Sequence, residues 1–232
     1  MILKIPTGCE AIDRILDGGI ACESLSLIYG EAETGKTTLA LQSAINRARR
    51  GYKTLFVDCD GTFSVTRLSQ MASREFKEIS EMMILMKPSS FHEQTLIIDQ
   101  LSGYINQKFG LLVFDTITSL YSIRIAELPG KTFELNRELN RQMALLAQTA
   151  KIQKIAILVT SQVRSAFNDA YVSIAPVATR VVKFWANTII LLKPTENPSV
   201  IKAIVEKNQK QEKPTQPMTC LLRIAETGIQ NI

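Results

Sequence analysis

The chain has 232 residues, 46% hydrophobic and 21% charged, a length and composition that bury one substantial core and describe one globular domain spanning residues 1–232. No apolar run approaches the roughly 18–20 residues of a bilayer span, and the opening MILKIPTGCEAIDRIL lacks the pattern of a signal peptide, so a cytoplasmic protein with no membrane contact is expected. The net charge of +5 is uneven: residues 1–150 hold 16 Lys and Arg against 17 Asp and Glu, net −1, whereas 151–232 hold 11 against 5, net +6, a basic excess that solvated surfaces carry and that nucleic acid also selects for.

In chain order, short β-rich apolar runs alternate with segments of helical period. SLSLIYG (24–30) precedes KTTLALQSAINRARR (36–50), and KTLFVDC (53–59) precedes VTRLSQMASRE (65–75). MMILMKP (82–88) leads to FHEQTLIIDQLSGYINQK (91–108), LLVFDTI (111–117) to FELNRELNRQMALLAQTAK (133–151), and KIAILVTSQ (154–162) ends the series. Strand–helix repetition of this kind predicts an α/β fold, a mostly parallel central sheet flanked by helices on both faces. After residue 186 the helical segments stop, and NTIILLK, SVIKAIVEK and TCLLRIAE predict antiparallel strands added at the C-terminal end. NQKQEKPTQP (208–217), polar with two prolines, predicts a mobile loop. Cys9, Cys22, Cys59 and Cys220 show no paired spacing and read as small hydrophobes rather than zinc ligands or disulfides.

The strongest motif is GEAETGKT, residues 30–37, between a predicted strand and a predicted helix. In such a loop the backbone amides of Gly30, Glu31, Ala32, Glu33, Thr34 and Gly35 converge on phosphate oxygens, and the helix N-terminus adds partial positive charge through Lys36, Thr37 and Thr38. Lys36 is expected to reach the terminal phosphates, and Thr37 to place its hydroxyl on Mg²⁺, a cation that takes few protein ligands. LLVFD supplies the second expected metal ligand, Asp115, at a strand end. Gln162 ends the next strand, where it can sense the γ-phosphate. In LFVDCDGTF (55–63), two carboxylates, Asp58 and Asp60, end a third strand just before Gly61.

These strand ends, in this order, resemble the RecA/RadA recombinase family. TGCEAIDRILDGGI is similar to the segment that enters the family's phosphate loop, DTITSLYSIRIAEL to its metal-binding strand and first DNA loop, VTSQVRS to its sensor glutamine and second DNA loop, and LLRIAETGIQNI to its ending. The resemblance covers nearly the whole chain and is strongest to the family's short archaeal paralogues, since only six residues precede Thr7 where full recombinases carry a further helical DNA-binding domain and an oligomerising linker. It implies a RecA-like P-loop ATPase that uses ATP and Mg²⁺, with Asp60 where the family has the glutamate that activates the attacking water and Arg67 where an arginine stacks on adenine. Aspartate is one methylene shorter than glutamate, so nucleotide binding is expected to survive while hydrolysis is weak.

The resemblance also places DNA contacts in two predicted loops, Arg124 and Lys131 in 122–132, and Arg164, Arg180 and Lys183 in 164–183, the latter with Phe167 and Tyr171 as candidate stacking groups. Val177, Ala178 and Thr179 stand where the family has a Gly-Gly-His stretch, which argues against strand exchange. The expected function is therefore a DNA repair and recombination accessory that binds DNA, single-stranded and without sequence preference, together with a recombinase or other repair proteins; the oligomeric state stays open. A KaiC-like signalling ATPase that ignores DNA is the alternative, and no segment resembles the arginine-rich lid of a small-molecule kinase. His92, Lys207 and Lys210 read as polar surface, and Trp185 as part of the core.

Overall fold

The computed structural model describes residues 3–168, 171–208 and 218–232. The chain opens with β1 (Lys4–Ile5), α1 (Glu10–Ile15) and β2 (Ile20–Ala21), a small antiparallel pair and helix that close one end of the molecule. It then alternates through β3 (Ser24–Gly30), α2 (Lys36–Ala48), β4 (Lys53–Asp58), α3 (Val65–Ala72), α4 (Phe76–Glu81), β5 (Met83–Met86), α5 (Phe91–Tyr104), β6 (Phe109–Asp115), α6 (Ser119–Glu127), α7 (Thr132–Gln153) and β7 (Ala156–Asn168). The last third holds β8 (Tyr171–Pro176), α8 (Thr179–Trp185), β9 (Thr188–Pro194), β10 (Val200–Lys207), β11 (Met218–Ala225) and β12 (Gly228–Asn231).

One ten-stranded sheet runs in the order β12-β11-β10-β9-β3-β7-β6-β4-β5, with β8 paired to β7. Every residue of β3 and of β6 is buried, which is why both read as unbroken apolar runs rather than alternating ones. Strand pleating sorts neighbouring residues onto opposite faces. Ile28, Phe56, Leu111 and Leu158 pack with Leu39, Leu41 and Ile45 of α2 on one face. Leu27, Leu55, Leu112 and Ile157 pack with Ile98 of α5, Leu139 and Met143 of α7 and Val182 of α8 on the other.

Three segments differ from expectation. The run at 187–193 is parallel, not antiparallel: β9 lies along β3 in register Ser26↔Thr188 to Gly30↔Leu192, and the antiparallel extension begins only at β10. A helix, α8, carries the chain back before β9, and a helical crossover returns a strand in the same direction. Residues 122–132 are not a loop but the end of α6 and a 3₁₀ turn at Pro129–Lys131. Of residues 164–183, 164–168 and 171–176 are paired antiparallel strands and 179–183 most of α8, because a long strand of 13 residues carries β7 well beyond the sheet to pair with β8. Of the predicted loop at 208–217, residues 209–217, with Lys210, lie outside the described residues.

Because β3, β4, β6 and β7 are parallel, the C-terminal ends of β3, β4 and β6 meet at one edge beside the middle of β7, with Gly30 opposite Gln162 and Asp58 opposite Asp115; Gln162 thus lies within its strand rather than ending it as expected, because β7 runs on to Asn168. Ligands of open α/β sheets bind at that edge.

Candidate nucleotide site

The loop leaving β3 is shaped by two glycines. A Cβ on Gly30 would lie 2.2 Å from the Leu192 carbonyl oxygen of β9 and 2.9 Å from Thr34 Oγ1, so only glycine lets the loop leave the strand so close to its neighbour. Gly35 has φ 81° at the start of α2, the left-handed region where glycine carries no steric penalty. Between them Glu33 also takes positive φ, 61°. The Thr34 hydroxyl donates to the Glu31 carbonyl at 2.8 Å, closing the loop on itself.

Lys36 points into this loop rather than out to solvent. It is 9% exposed, and Nζ donates to the Glu31 carbonyl oxygen at 2.5 Å. Burial pulls its ammonium below the ordinary value, while Asp115, Asp60 and Glu31 pull the other way. A phosphate group entering the loop offers this buried cation a charged partner in place of a neutral carbonyl.

Asp115 ends β6 fully buried. The Thr160 hydroxyl donates to Oδ1 in a short bond, whereas Oδ2 is buried with no hydrogen-bond partner. Burial pushes its carboxyl up to about 6, against the opposing pull of Thr160 and of the Thr37 hydroxyl beside it. A buried carboxylate with one idle oxygen next to a threonine hydroxyl fits a cation that takes one or two protein ligands and completes its shell with water and phosphate oxygens, as Mg²⁺ does. Among the described residues, no group of three or more His, Cys, Asp or Glu side chains offers an all-protein metal cage. The peptide bond from Asp115 to Thr116 is cis.

Asp58 and Asp60 separate cleanly. Asp58 is buried and accepts from the Thr62 amide at 3.0 Å and the Phe63 amide at 3.2 Å, with Lys87 Nζ 3.4 Å away, so it shapes the turn after β4. Asp60 reaches a pocket of about 390 Å³ that it shares with Ala32, Glu33, Lys36, Thr37, Thr116 and Gln162. A smaller hollow of about 200 Å³ beside Gly35, Thr37 and Thr38 is walled by Ile224, which no sequence feature singled out.

Arg67 lies on α3, whose first turn is capped by the Ser64 hydroxyl. Its guanidinium donates to the carbonyls of Ala225 at 2.6 Å and Glu226 at 2.8 Å, in the turn between β11 and β12. These two bonds, two of the five its guanidinium can donate, tie Arg67 to the turn after β11.

The candidate DNA residues are not equivalent. Arg124 is exposed and pairs with Glu127 at 2.8 Å; Lys131 is exposed at the end of the 3₁₀ turn. Arg180 is exposed at a second, open cleft of about 510 Å³ lined also by Tyr121, Ser122, Thr132 and Asn136. The Arg164, Phe167 and Tyr171 side chains lie outside the described residues. Lys183 departs from expectation: Nζ donates to Glu206 Oε2 at 2.6 Å and to the Tyr29 hydroxyl at 3.1 Å, so its charge is already neutralised inside the molecule. His92 is exposed, and Trp185 is half-buried with its indole N–H on Asn140 Oδ1 at 2.9 Å. Lys207 donates to the Ala186 carbonyl at 2.7 Å.

A glycine-shaped phosphate loop between the central strand and its helix, facing a buried strand-end carboxylate, defines a P-loop nucleotide-binding protein with a RecA-like fold. The chain belongs to the Rad51 family, whose model matches residues 1–232. It is 31% identical over 214 residues to the DNA repair and recombination protein RadB of Methanothermobacter thermautotrophicus, an alignment that covers 90% of this chain and 88% of that one. Against the RadB of Methanobrevibacter smithii it is 33% identical over 194 residues, 82% of this chain and 81% of the other. Among solved structures, the crystal structure of the RadB recombinase matches with a TM-score of 0.82 at 29% identity, covering 98% of this chain and 99% of that one. The family gives the signalling-ATPase alternative no support.

The hydroxyls around the carboxylates, Thr62, Thr116 and Thr160, were missed in the sequence. The available signal was local: a hydroxyl residue directly after Asp115 and another near the end of the next apolar run.

Proposed function

We propose that this protein binds Mg²⁺–ATP, hydrolyses it weakly, and serves DNA repair and homologous recombination as a RadB-like accessory that binds DNA and partner repair proteins. Residues 1–232 are read as one RecA-like unit acting in the cytoplasm. The observation that carries this reading is the meeting of three features at one sheet edge: the buried Lys36 ammonium, the Asp115 carboxylate with an idle oxygen, and Asp60 on the same pocket. The relatives' names supply recombination as the setting.

In this reading the loop amides of residues 30–35 and Lys36 hold the phosphates, Thr37 and Asp115 hold the magnesium, Gln162 senses the γ-phosphate, and Arg67 presents its face to the adenine. Asp60 accepts the proton of the attacking water. The metal would supply neutralisation of charge on the phosphate oxygens. For DNA, Arg124, Lys131 and Arg180 are the candidate phosphate contacts, with Arg164 as a further candidate; Lys183 is left out because Glu206 neutralises it.

The test is nucleotide binding read by thermal melting. Mg²⁺–ATP at about 100 times its Kd contributes about 2.7 kcal/mol, a rise in melting temperature of about 5–10 °C for a chain of this size. Lys36→Ala is expected to lose that rise. An equal rise in the variant would remove the phosphate loop from the function.

A further inference from the structure

Asp60 is held from both sides. Its Oδ1 accepts from the Thr62 hydroxyl at 2.6 Å and the Thr62 amide at 3.3 Å, and its Oδ2 accepts from the Thr116 hydroxyl at 3.0 Å. Thr116 is 2% exposed, whereas Asp60 is only half-buried and faces the nucleotide pocket. The Thr116 oxygen also lies 3.3 Å from that of Thr160, whose proton goes to Asp115 Oδ1. A continuous row of polar atoms, Thr62, Asp60, Thr116, Thr160 and Asp115, therefore crosses from the ends of β4 and β6 to the middle of β7.

Counting protons along this row shows what it can do. A threonine hydroxyl has one proton to donate, and an ionised carboxylate only accepts. With both carboxylates charged, Thr160 donates to Asp115 and Thr116 donates to Asp60, so no proton is left for the 3.3 Å contact between the two threonines. The one proton of Thr116 therefore goes to Asp60.

We propose that Thr116 is a positioning residue for Asp60, whose hydroxyl fixes the carboxylate toward the nucleotide. The inference rests on the reading of Asp60 as the acceptor of the water proton. It gives the shortened carboxylate a compensation: what Asp60 lacks in reach, the clasp of Thr62 and Thr116 returns as a fixed orientation, which proton transfer requires.

Single-turnover and steady-state ATP hydrolysis by the full chain tests it, using Asp60→Ala, Thr116→Val and Thr116→Ser. Thr116→Val keeps the side-chain shape and removes the proton. Its kcat is expected to fall about tenfold, the scale of one hydrogen bond to a charged group, with KM for Mg²⁺–ATP within about twofold. Thr116→Ser restores kcat to within about threefold, and adding Thr116→Val to Asp60→Ala costs nothing further because the two act as a unit. If Asp60→Ala slows turnover but Thr116→Val does not, or if serine fails to rescue, the inference is overturned while the ATPase reading stands. If the wild-type chain hydrolyses no ATP, or Asp60→Ala leaves turnover unchanged, that reading fails and the inference with it. Thr116→Ala makes the same deletion and carries the test if the valine variant does not fold.

Discussion

Two carboxylates one residue apart end β4 and differ because only one of them can turn outward. Asp58, the last residue of the strand, is buried under the turn and takes its amide protons; Asp60, two residues on, has left the pleat and reaches the pocket. The same edge makes Gly30 irreplaceable for a different reason, the closeness of the Leu192 carbonyl in the next strand. Gly30→Ala forces either β9 or the loop to move, which is expected to cost about 1–3 kcal/mol, or roughly 3–10 °C in melting temperature, and to weaken Mg²⁺–ATP binding. A variant with wild-type melting and binding would show that the loop yields freely there.

At the scale of elements, α8, β10 and the central strand are tied by one cluster. Tyr29, the residue before the phosphate loop, is buried and donates to Glu206 Oε1 at 2.6 Å, and Lys183 of α8 sits over its ring at 4.7 Å while pairing with Glu206 Oε2. Burial and the Glu206 carboxylate together push the Tyr29 hydroxyl well above its ordinary value, so it stays a donor. The Lys183 and Glu206 side chains are 31% and 30% exposed, which tempers the ion pair. Lys183→Ala is expected to cost about 1–2 kcal/mol, and a double-mutant cycle with Glu206→Gln to show coupling of about 0.5–2 kcal/mol. Additive losses would mean that the two side chains stabilise their elements separately. If Lys183 instead served DNA, its removal would weaken DNA binding and leave melting unchanged.

For the molecule as a whole, the charge asymmetry belongs to the part of the chain that holds α8 and the antiparallel strands, where 11 basic residues face 5 acidic ones. If about three phosphates are neutralised, the Kd for single-stranded DNA is expected to weaken about tenfold or more between roughly 50 and 200 mM salt, equally for unrelated sequences. A Kd insensitive to salt would remove DNA phosphates from the protein's partners. No helix among the described residues is long and apolar enough to cross a membrane.

The parallel core and the phosphate loop were legible because both are local: strand and helix periods, and a loop whose glycines and lysine sit within eight residues. The direction of β9 was not, since NTIILLK reads the same in either orientation and only the α8 crossover sets it. Arg67 was legible as a residue of interest, but its carbonyl partners lie 158 and 159 residues away. Lys183 looked like a free basic group because Glu206 stands 23 residues beyond it on another element.

By itself, then, the sequence determined where the glycine-lysine loop motif and the acidic side chains lie along the chain, because those residues are written into short motifs at the ends of apolar runs. Only the tertiary structure decided which of them meet. Parallel pairing places Gly30 beside Gln162 and Asp58 beside Asp115, buries Asp115 with one oxygen unmatched, and sets the Thr116 hydroxyl between the Asp60 carboxylate and the Thr160 hydroxyl. Those contacts depend on strand order and register, which hydrogen bonding between distant segments fixes and no local pattern encodes.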